Sequence, residues 1–214
     1  YQKRFLVLPF GVSSRFINHG TAREEKCVAT GTFHDLLKEE PSEAYADFIR
    51  VTGEKSYQPV RREIYQARDR VRNHITCLTS PFRSEHERSI FVRIFRKLDV
   101  RQANYFRVDM VEEYNRHKYA VVGEEISGFP ALGSFEAMSS GVVLFGQKLH
   151  LQGLGLVPGR HFIDYDGTLE DLLAKMHSHA GENLASIARA GEVVIRANYS
   201  AETIHATWLR ALSD

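Results

Sequence analysis

No stretch of the 214 residues approaches the roughly 18 consecutive apolar side chains that a membrane-crossing helix needs, and no leader pattern opens the chain. Cysteine is scarce. Cys27 and Cys77 each sit in an apolar run, which suits reduced core residues and gives no disulfide or metal framework. Charge excess is missing too: 28 Lys and Arg stand against 27 Asp and Glu, a net +1 that excludes nucleic-acid binding of the basic-patch kind. There is no Gly-x-Ser-x-Gly elbow, no Gly-Lys-Ser/Thr phosphate loop, no internal repeat and no low-complexity linker. Of the 10 histidines the closest pair is His177 and His179, whose i, i+2 spacing cannot share a helix face, so no zinc site is expected. These absences leave a cytoplasmic protein, at most peripheral to a membrane. A first residue of Tyr1 rather than Met suits an excised fragment.

A hydrophobic content of 43% is ample for a packed core, and the length fits one large domain. Strand-like runs lie at Phe5–Leu8, Cys27–Thr30, Ile75–Leu78, Tyr119–Val122, Val142–Phe145 and His161–Ile163. Helical patterns alternate with them, so the expected class is α/β with a mainly parallel sheet. The clearest helix is Leu169–His179, with Leu169, Leu172, Leu173 and Met176 on one face and Thr168 as N-cap. Further helices are expected over about 183–189 and from Ser200, the latter carrying Ile204, Trp208, Leu209 and Leu212. Residues 40–73 are polar and helical in tone, with only a weak apolar face at Ile64, Ala67 and Val71, and read as a helical insertion.

The most informative stretch runs from Glu124 to Gly141. It joins two apolar strands through a Gly/Pro loop (Gly128, Phe129, Pro130) and a short helix expected to open near Ser134 and close at Gly141. Such a strand, loop and helix turns unpaired backbone N–H groups toward an anion. Glu136, expected on the first turn, can accept hydrogen bonds from a neutral diol such as ribose. The pattern therefore suggests recognition of a nucleoside diphosphate.

Other motifs compete with it. Asp164-Tyr165-Asp166-Gly167-Thr168 matches the nucleophile loop of haloacid-dehalogenase-type phosphatases, with Asp164 as nucleophile and Asp166 as general acid. Too little chain follows for that chemistry's remaining units, and the loop reads instead as a helix cap. The glycines of Gly153-Leu-Gly155-Leu-Val-Pro-Gly159 fail as a dinucleotide fingerprint because Pro158 interrupts and no long helix follows. Arginines crowd residues 61–107, from Arg61 and Arg62 to Arg107, a pattern that base rates assign mostly to a solvated helix face with room for a phosphate-facing subset.

Three blocks then resemble a known family, the C-terminal, donor-binding domain of GT-B glycosyltransferases of the group-1 type. They are Leu6–Phe16, similar to the segment entering this domain; Cys27–His34, similar to its first strand and glycine loop; and Tyr114–Gly141, similar to its donor-binding core. The tail from Val157 to Tyr199 resembles the closing helices. The resemblance implies a Rossmann-like fold and a nucleotide-diphosphate sugar as substrate, with no cofactor and no metal. It implies transfer to a glycan, lipid or protein acceptor held by an N-terminal domain outside this chain. The isolated chain would then be inactive, bind no nucleic acid, and have an apolar surface prone to self-association; a non-catalytic nucleotide-sugar-binding module is the alternative. The donor-binding residues it implies are Gly31, Thr32, His34, Lys38, Gly128, Phe129, Pro130, Gly133, Ser134 and Glu136, with Glu125 in the catalytic position. The chain departs from the family at two places. Gly128 stands eight residues before Glu136, where the family has a first glutamate, so that role shifts to Glu125; and Thr32 stands where the family has an arginine.

Overall fold

The computed structural model describes residues 10–36, 43–82, 108–151 and 153–213. The expected strand at Phe5–Leu8 lies outside them. Five strands form one wholly parallel sheet: β1 (Glu24–Ala29), β3 (Ile75–Cys77), β5 (His117–Val121), β6 (Val143–Gly146) and β7 (Ile163–Asp164), in the order β3-β1-β5-β6-β7. Cys27 pairs with both Ile75 and Tyr119, and Tyr119 with Val143, and the β1–β5 register shifts once, between Glu24 and Cys27. Parallel strands need helical crossovers and are covered on both faces, which is why their sequences are unbroken apolar runs instead of alternating ones. A two-stranded extension, β2 (Thr32–Phe33) with β4 (Ser80–Pro81), continues beyond the ends of β1 and β3.

Helices cover both faces. On one side α3 (Met110–Arg116), α4 (Leu132–Ser139) and the far half of α7 (Ala185–Tyr199) bury Val111, Tyr114, Phe135, Met138, Ile195 and Tyr199 against Val28, Ala120 and Leu144. Phe135 stacks on Tyr199 at 5.0 Å between ring centroids. On the other side α2 (Pro59–Val71) and α6 (Leu169–Ser178) bury Val60, Ile64, Val71, Leu172 and Met176 against Cys27, Tyr119 and Phe145. Each fully buried side chain of this kind contributes about 1.5–3 kcal/mol from apolar burial. α6 opens as its sequence indicates, with Thr168 Oγ1 accepting from the Asp171 N–H.

The segment expected as an insertion divides in two. Helix α1 (Glu43–Thr52) buries no residue, whereas α2 is the crossover between β1 and β3 and a full member of the core. α2 starts where Gln58 precedes Pro59, a residue whose missing N–H costs nothing in a first turn. Helix α7 is longer than expected, running through Gly191 to Tyr199. Gly191 looks like a terminator, yet a Cβ there would meet the His161 carbonyl at 2.7 Å and Met138 at 2.8 Å. It is a close-packing glycine, not a stop. The last helix, α8 (Ala201–Ser213), follows at once, and Val12 is bridged to Ser200 between α7 and α8.

Candidate functional site

Counted by the main sheet's strands, the order is 2-1-3-4-5, so the chain's direction across the sheet reverses between β1 and β5. In open α/β sheets this switch point opens a crevice at the carboxyl ends of the strands, where ligands bind. Here that crevice is bounded by Gly31 after β1 and by Val122, Gly123 and Glu124 after β5. Arg61, delivered by the first turn of α2 and buried, reaches into it. Its Nε donates to the Val122 carbonyl and its Nη1 to the Thr32 carbonyl, both at 2.6 Å. Two left-handed glycines make room for it: a Cβ on Gly31 (φ 104) would lie 2.9 Å from the guanidinium carbon, and one on Gly123 (φ 64) 2.9 Å from Arg61 Cγ. A buried cation thus ties together the loops that leave the two central strands.

The loop from Gly123 to Ala131 leads into α4, which begins at Leu132, two residues earlier than expected. Gly141 closes the segment with φ 74, as its sequence suggests. Glu136 therefore stands on the second turn and not the first. It is half-buried; that burial raises its carboxyl above the ordinary range, and the positive charge of Arg15 opposes the effect. Tyr114 fixes the start of α4. Its hydroxyl lies 3.2 Å from Thr30 Oγ1, at the end of β1, and donates to the Gly133 carbonyl at 3.3 Å. Gly133 permits the contact, since a Cβ there would stand 3.2 Å from the Tyr114 hydroxyl.

The two adjacent glutamates diverge. Glu125 is exposed, and its carboxylate accepts from Gln58 Nε2 at 3.2 Å and Ser127 Oγ at 3.4 Å. Gln58 in turn accepts from the His34 N–H at 3.0 Å, so Glu125 and His34 belong to one brace between the β1 loop, α2 and the glycine loop. Glu124 is 2% exposed; the Glu124 and Gln147 peptide N–H groups approach its carboxylate, but neither oxygen receives a hydrogen bond of good geometry. Burial pushes it up to about 7, with the Glu124 and Gln147 peptide groups and Arg61 acting against the shift and Asp164 adding to it.

Every unpartnered buried side-chain oxygen or nitrogen among the described residues lies at this edge of the molecule: both oxygens of Glu124, Ser134 Oγ, His150 Nδ1 and Tyr165 Oη. Glu124 follows β5, Ser134 is in the first turn of α4, His150 is in α5 (Lys148–Leu151) after β6, and Tyr165 follows β7. Buried polar atoms are normally paired, and each exception calls for a cause. His150 packs beneath the glycine loop, 3.7 Å from where a Gly128 Cβ would be. Burial lowers its ring below the usual histidine range. Burial also raises the Tyr165 phenol well above its ordinary value, and the Glu124 charge adds to this.

The residues implied by sequence are thus placed as follows. Gly31 and Thr32 meet the Glu124 loop through Arg61, and His34 meets Glu125 through Gln58. Gly128 (φ 81) faces His150, Phe129 stands 68% exposed on the rim beside Pro130, and Gly133 and Ser134 form the first turn of α4. Lys38 lies outside the described residues. Sequence reasoning missed Arg61, Glu124, His150 and Tyr165. Signals existed for Arg61, as one of the many arginines of residues 61–107, and for Glu124, which stands beside Glu125 at the head of the glycine loop.

The phosphatase-like loop has other work. Asp164 accepts from the Lys148 N–H at 2.6 Å at the start of α5, and Asp166 accepts from the Thr168 N–H and hydroxyl at 2.8 and 2.7 Å. No group of three His, Cys, Asp or Glu side chains that could hold a metal ion is present among the described residues. None of their helices is long and apolar enough to cross a membrane.

Neither a family model nor a curated protein matches this sequence. The fold does have a solved counterpart, the C-terminal domain of a glycosyl transferase group 1 family protein, LpcC, from Francisella tularensis. It superposes with a TM-score of 0.51 at 11% identity, over 89% of this chain and 100% of that one. At such identity the likeness is one of architecture, and in architecture this chain is a Rossmann-like α/β domain of the kind that forms the C-terminal half of a GT-B fold.

Proposed function

We propose that the chain is the donor-binding half of a glycosyltransferase, holding a nucleotide-diphosphate sugar at the carboxyl edge of its sheet for transfer to an acceptor on a second domain. The observation that carries this reading is the row of unpartnered buried polar atoms on Glu124, Ser134, His150 and Tyr165, set along three successive strand ends beside the start of α4. Such a row is costly unless something hydrogen-bonds to it, and a ligand at the switch point is the simplest partner.

The task is to stabilise a departing nucleoside diphosphate. The first-turn amides of α4 point at the anion, and Arg61 supplies a positive charge already held in place by two carbonyls, so little reorganisation is needed when charge develops. Glu136, on the same helix and facing the Arg15 side, is assigned the ribose hydroxyls. Glu124, rather than the exposed Glu125, takes the place of the family's first glutamate. Ile126, Phe129 and Leu132 expose apolar surface on the rim, where the acceptor domain would close. The phosphatase reading loses ground because both of its carboxylates serve as caps.

Titration calorimetry with UDP, GDP and ADP tests the proposal. One of them binds, and Glu136→Gln weakens it at least tenfold, the loss expected when one charge-assisted hydrogen bond of about 1.5–3 kcal/mol becomes neutral. Unchanged affinity in a variant of unchanged stability removes the ribose role. Turnover of the sugar nucleotide, assayed with an acceptor domain supplied, then separates the enzyme from a module that only binds.

A further inference from the structure

Two residues at the start of α2, Arg61 and Gln58, each link the loop after β1 to the loop after β5. The inner link is Arg61, between the Thr32 and Val122 carbonyls. The outer link is Gln58, whose Oε1 accepts from the His34 N–H at 3.0 Å and whose Nε2 donates to Glu125 Oε1 at 3.2 Å. Gln58 holds the N-cap position of α2, yet its side chain makes no cap. Its own N–H donates to buried Ser56 Oγ at 3.0 Å, and the carboxamide, 5% exposed with its residue, is given to the loops. A carboxamide accepts at one atom and donates at the other, which neither a carboxylate nor an ammonium can do at neutral pH. Beside this link the Ile126 N–H donates to the Tyr57 carbonyl at 2.8 Å, and the His34 ring packs between Tyr57 and Phe82.

We propose that Gln58 is a positioning residue for nucleotide binding, with His34 and Glu125 as its anchors and not as contacts to the donor. The proposal rests on the nucleotide-sugar reading and adds to it what sets the width of the crevice. The two loops that Gln58 joins are the crevice walls. One of them runs from Glu125 through the glycine loop into α4, whose first-turn amides face the diphosphate in that reading. Arg61 holds this wall at Val122, next to the strand. Gln58 holds it at Glu125, where the chain is in neither strand nor helix and no sheet ladder fixes it. A loop already held in place spares the ligand the cost of ordering it. The outer link also ends on an exposed carboxylate, so it can be cut or reversed without opening the core.

The test is a reciprocal swap read by titration calorimetry with UDP, GDP and ADP, with urea denaturation reporting stability. Gln58→Glu still accepts from the His34 N–H but sets a like charge against Glu125, and should weaken the nucleotide that binds wild type about fivefold or more. Adding Glu125→Gln supplies a carboxamide that donates to the carboxylate now at position 58, and the double variant should recover most of the loss. Glu125→Gln alone keeps a neutral link and should lose about twofold at most. Glu125→Ala, at an exposed position where folding is not at stake, should lose about threefold. A merely structural Gln58 would lower stability and leave affinity alone. Wild-type affinity in Gln58→Glu, a loss that persists in the double variant, or a Glu125→Gln as damaging as Glu125→Ala overturns the positioning role and leaves the donor reading standing. If none of the three nucleotides binds wild type, the donor reading fails and this one falls with it.

Discussion

The two ends of the same sheet treat their polar groups in opposite ways. At the amino edge the buried polar side chains among the described residues all have partners. Arg23, just before β1, donates to the carbonyls of Tyr114, His117 and Ser140 and to Asn18 and Asn115. Glu192 accepts from Arg189, Arg196 and Asn18, and Lys118 from β5 spans Glu25 and the Glu182 carbonyl. Buried His117 lies 2.8 Å from Thr76 Oγ1. At the carboxyl edge Glu124, Ser134, His150 and Tyr165 go without partners. Shape does not make this distinction: a concavity of about 520 Å³ lies at the amino edge and one of about 910 Å³ between α2 and α6, both away from the open groups. Hydrogen-bond satisfaction separates a stitched end from one with capacity to spare.

Breaking the stitched end should cost most. Arg23→Ala strands several carbonyls that the guanidinium now serves, and an unfolding free energy lower by roughly 3 kcal/mol is expected from such unsatisfied groups. Urea denaturation measures it, and nucleotide affinity should be unchanged; a variant as stable as wild type would show that the clasp is ornamental.

The open end should respond to pH instead. The Glu124 carboxyl titrates higher folded, at about 7, than in the unfolded chain. Its contribution is therefore complete at acid pH, declines as pH rises through the unfolded value toward 7, and is gone above that, a span of about 3 kcal/mol. Glu124→Gln should remove this slope, leaving the variant at least as stable as wild type at pH 8 yet weaker in ligand binding. Parallel urea curves from pH 4 to 8 would expose a slope that persists in the variant and so belongs elsewhere.

Tyr114 joins the two ends, since its backbone carbonyl is held by Arg23 while its hydroxyl holds α4. Tyr114→Phe should cost about 1 kcal/mol of stability and also loosen nucleotide binding, because the start of α4 loses its tether. A stability loss with no affinity loss would confine Tyr114 to packing. The smallest effect is expected on the far surface. Trp208 and Leu209 of α8 are 49% and 57% exposed, and Trp208→Lys should reduce any concentration-dependent association seen by sedimentation.

Much of the frame was legible in the chain. Buried parallel strands are unbroken apolar runs, so four of the five main strands were found almost in register, and Thr168 announced α6 through its side chain. The helix of Glu136 was legible because a glycine loop and Gly141 bracket it. The site was legible only in part. The loop that carries it could be recognised, but whether Glu124 or Glu125 turns inward could not, since neither the period of a strand nor that of a helix applies between β5 and α4. α2 was misread as peripheral because its core face is a thin line of Val60, Ile64 and Val71 among arginines.

Local sequence, then, determined the α/β alternation, the parallel sheet and the glycine loop before α4, because propensity, capping and apolar run length act over a few residues. The strand order, and with it the switch point, is a matter of which strands pair across the chain, and only the tertiary structure decided it. The same holds for Arg61, which lies 61 residues from the carbonyl it holds on Val122, and for His150 and Tyr165, which join Glu124 only because β5, β6 and β7 lie side by side. Burial and the absence of a partner are properties of assembled surroundings, and no residue carries them alone.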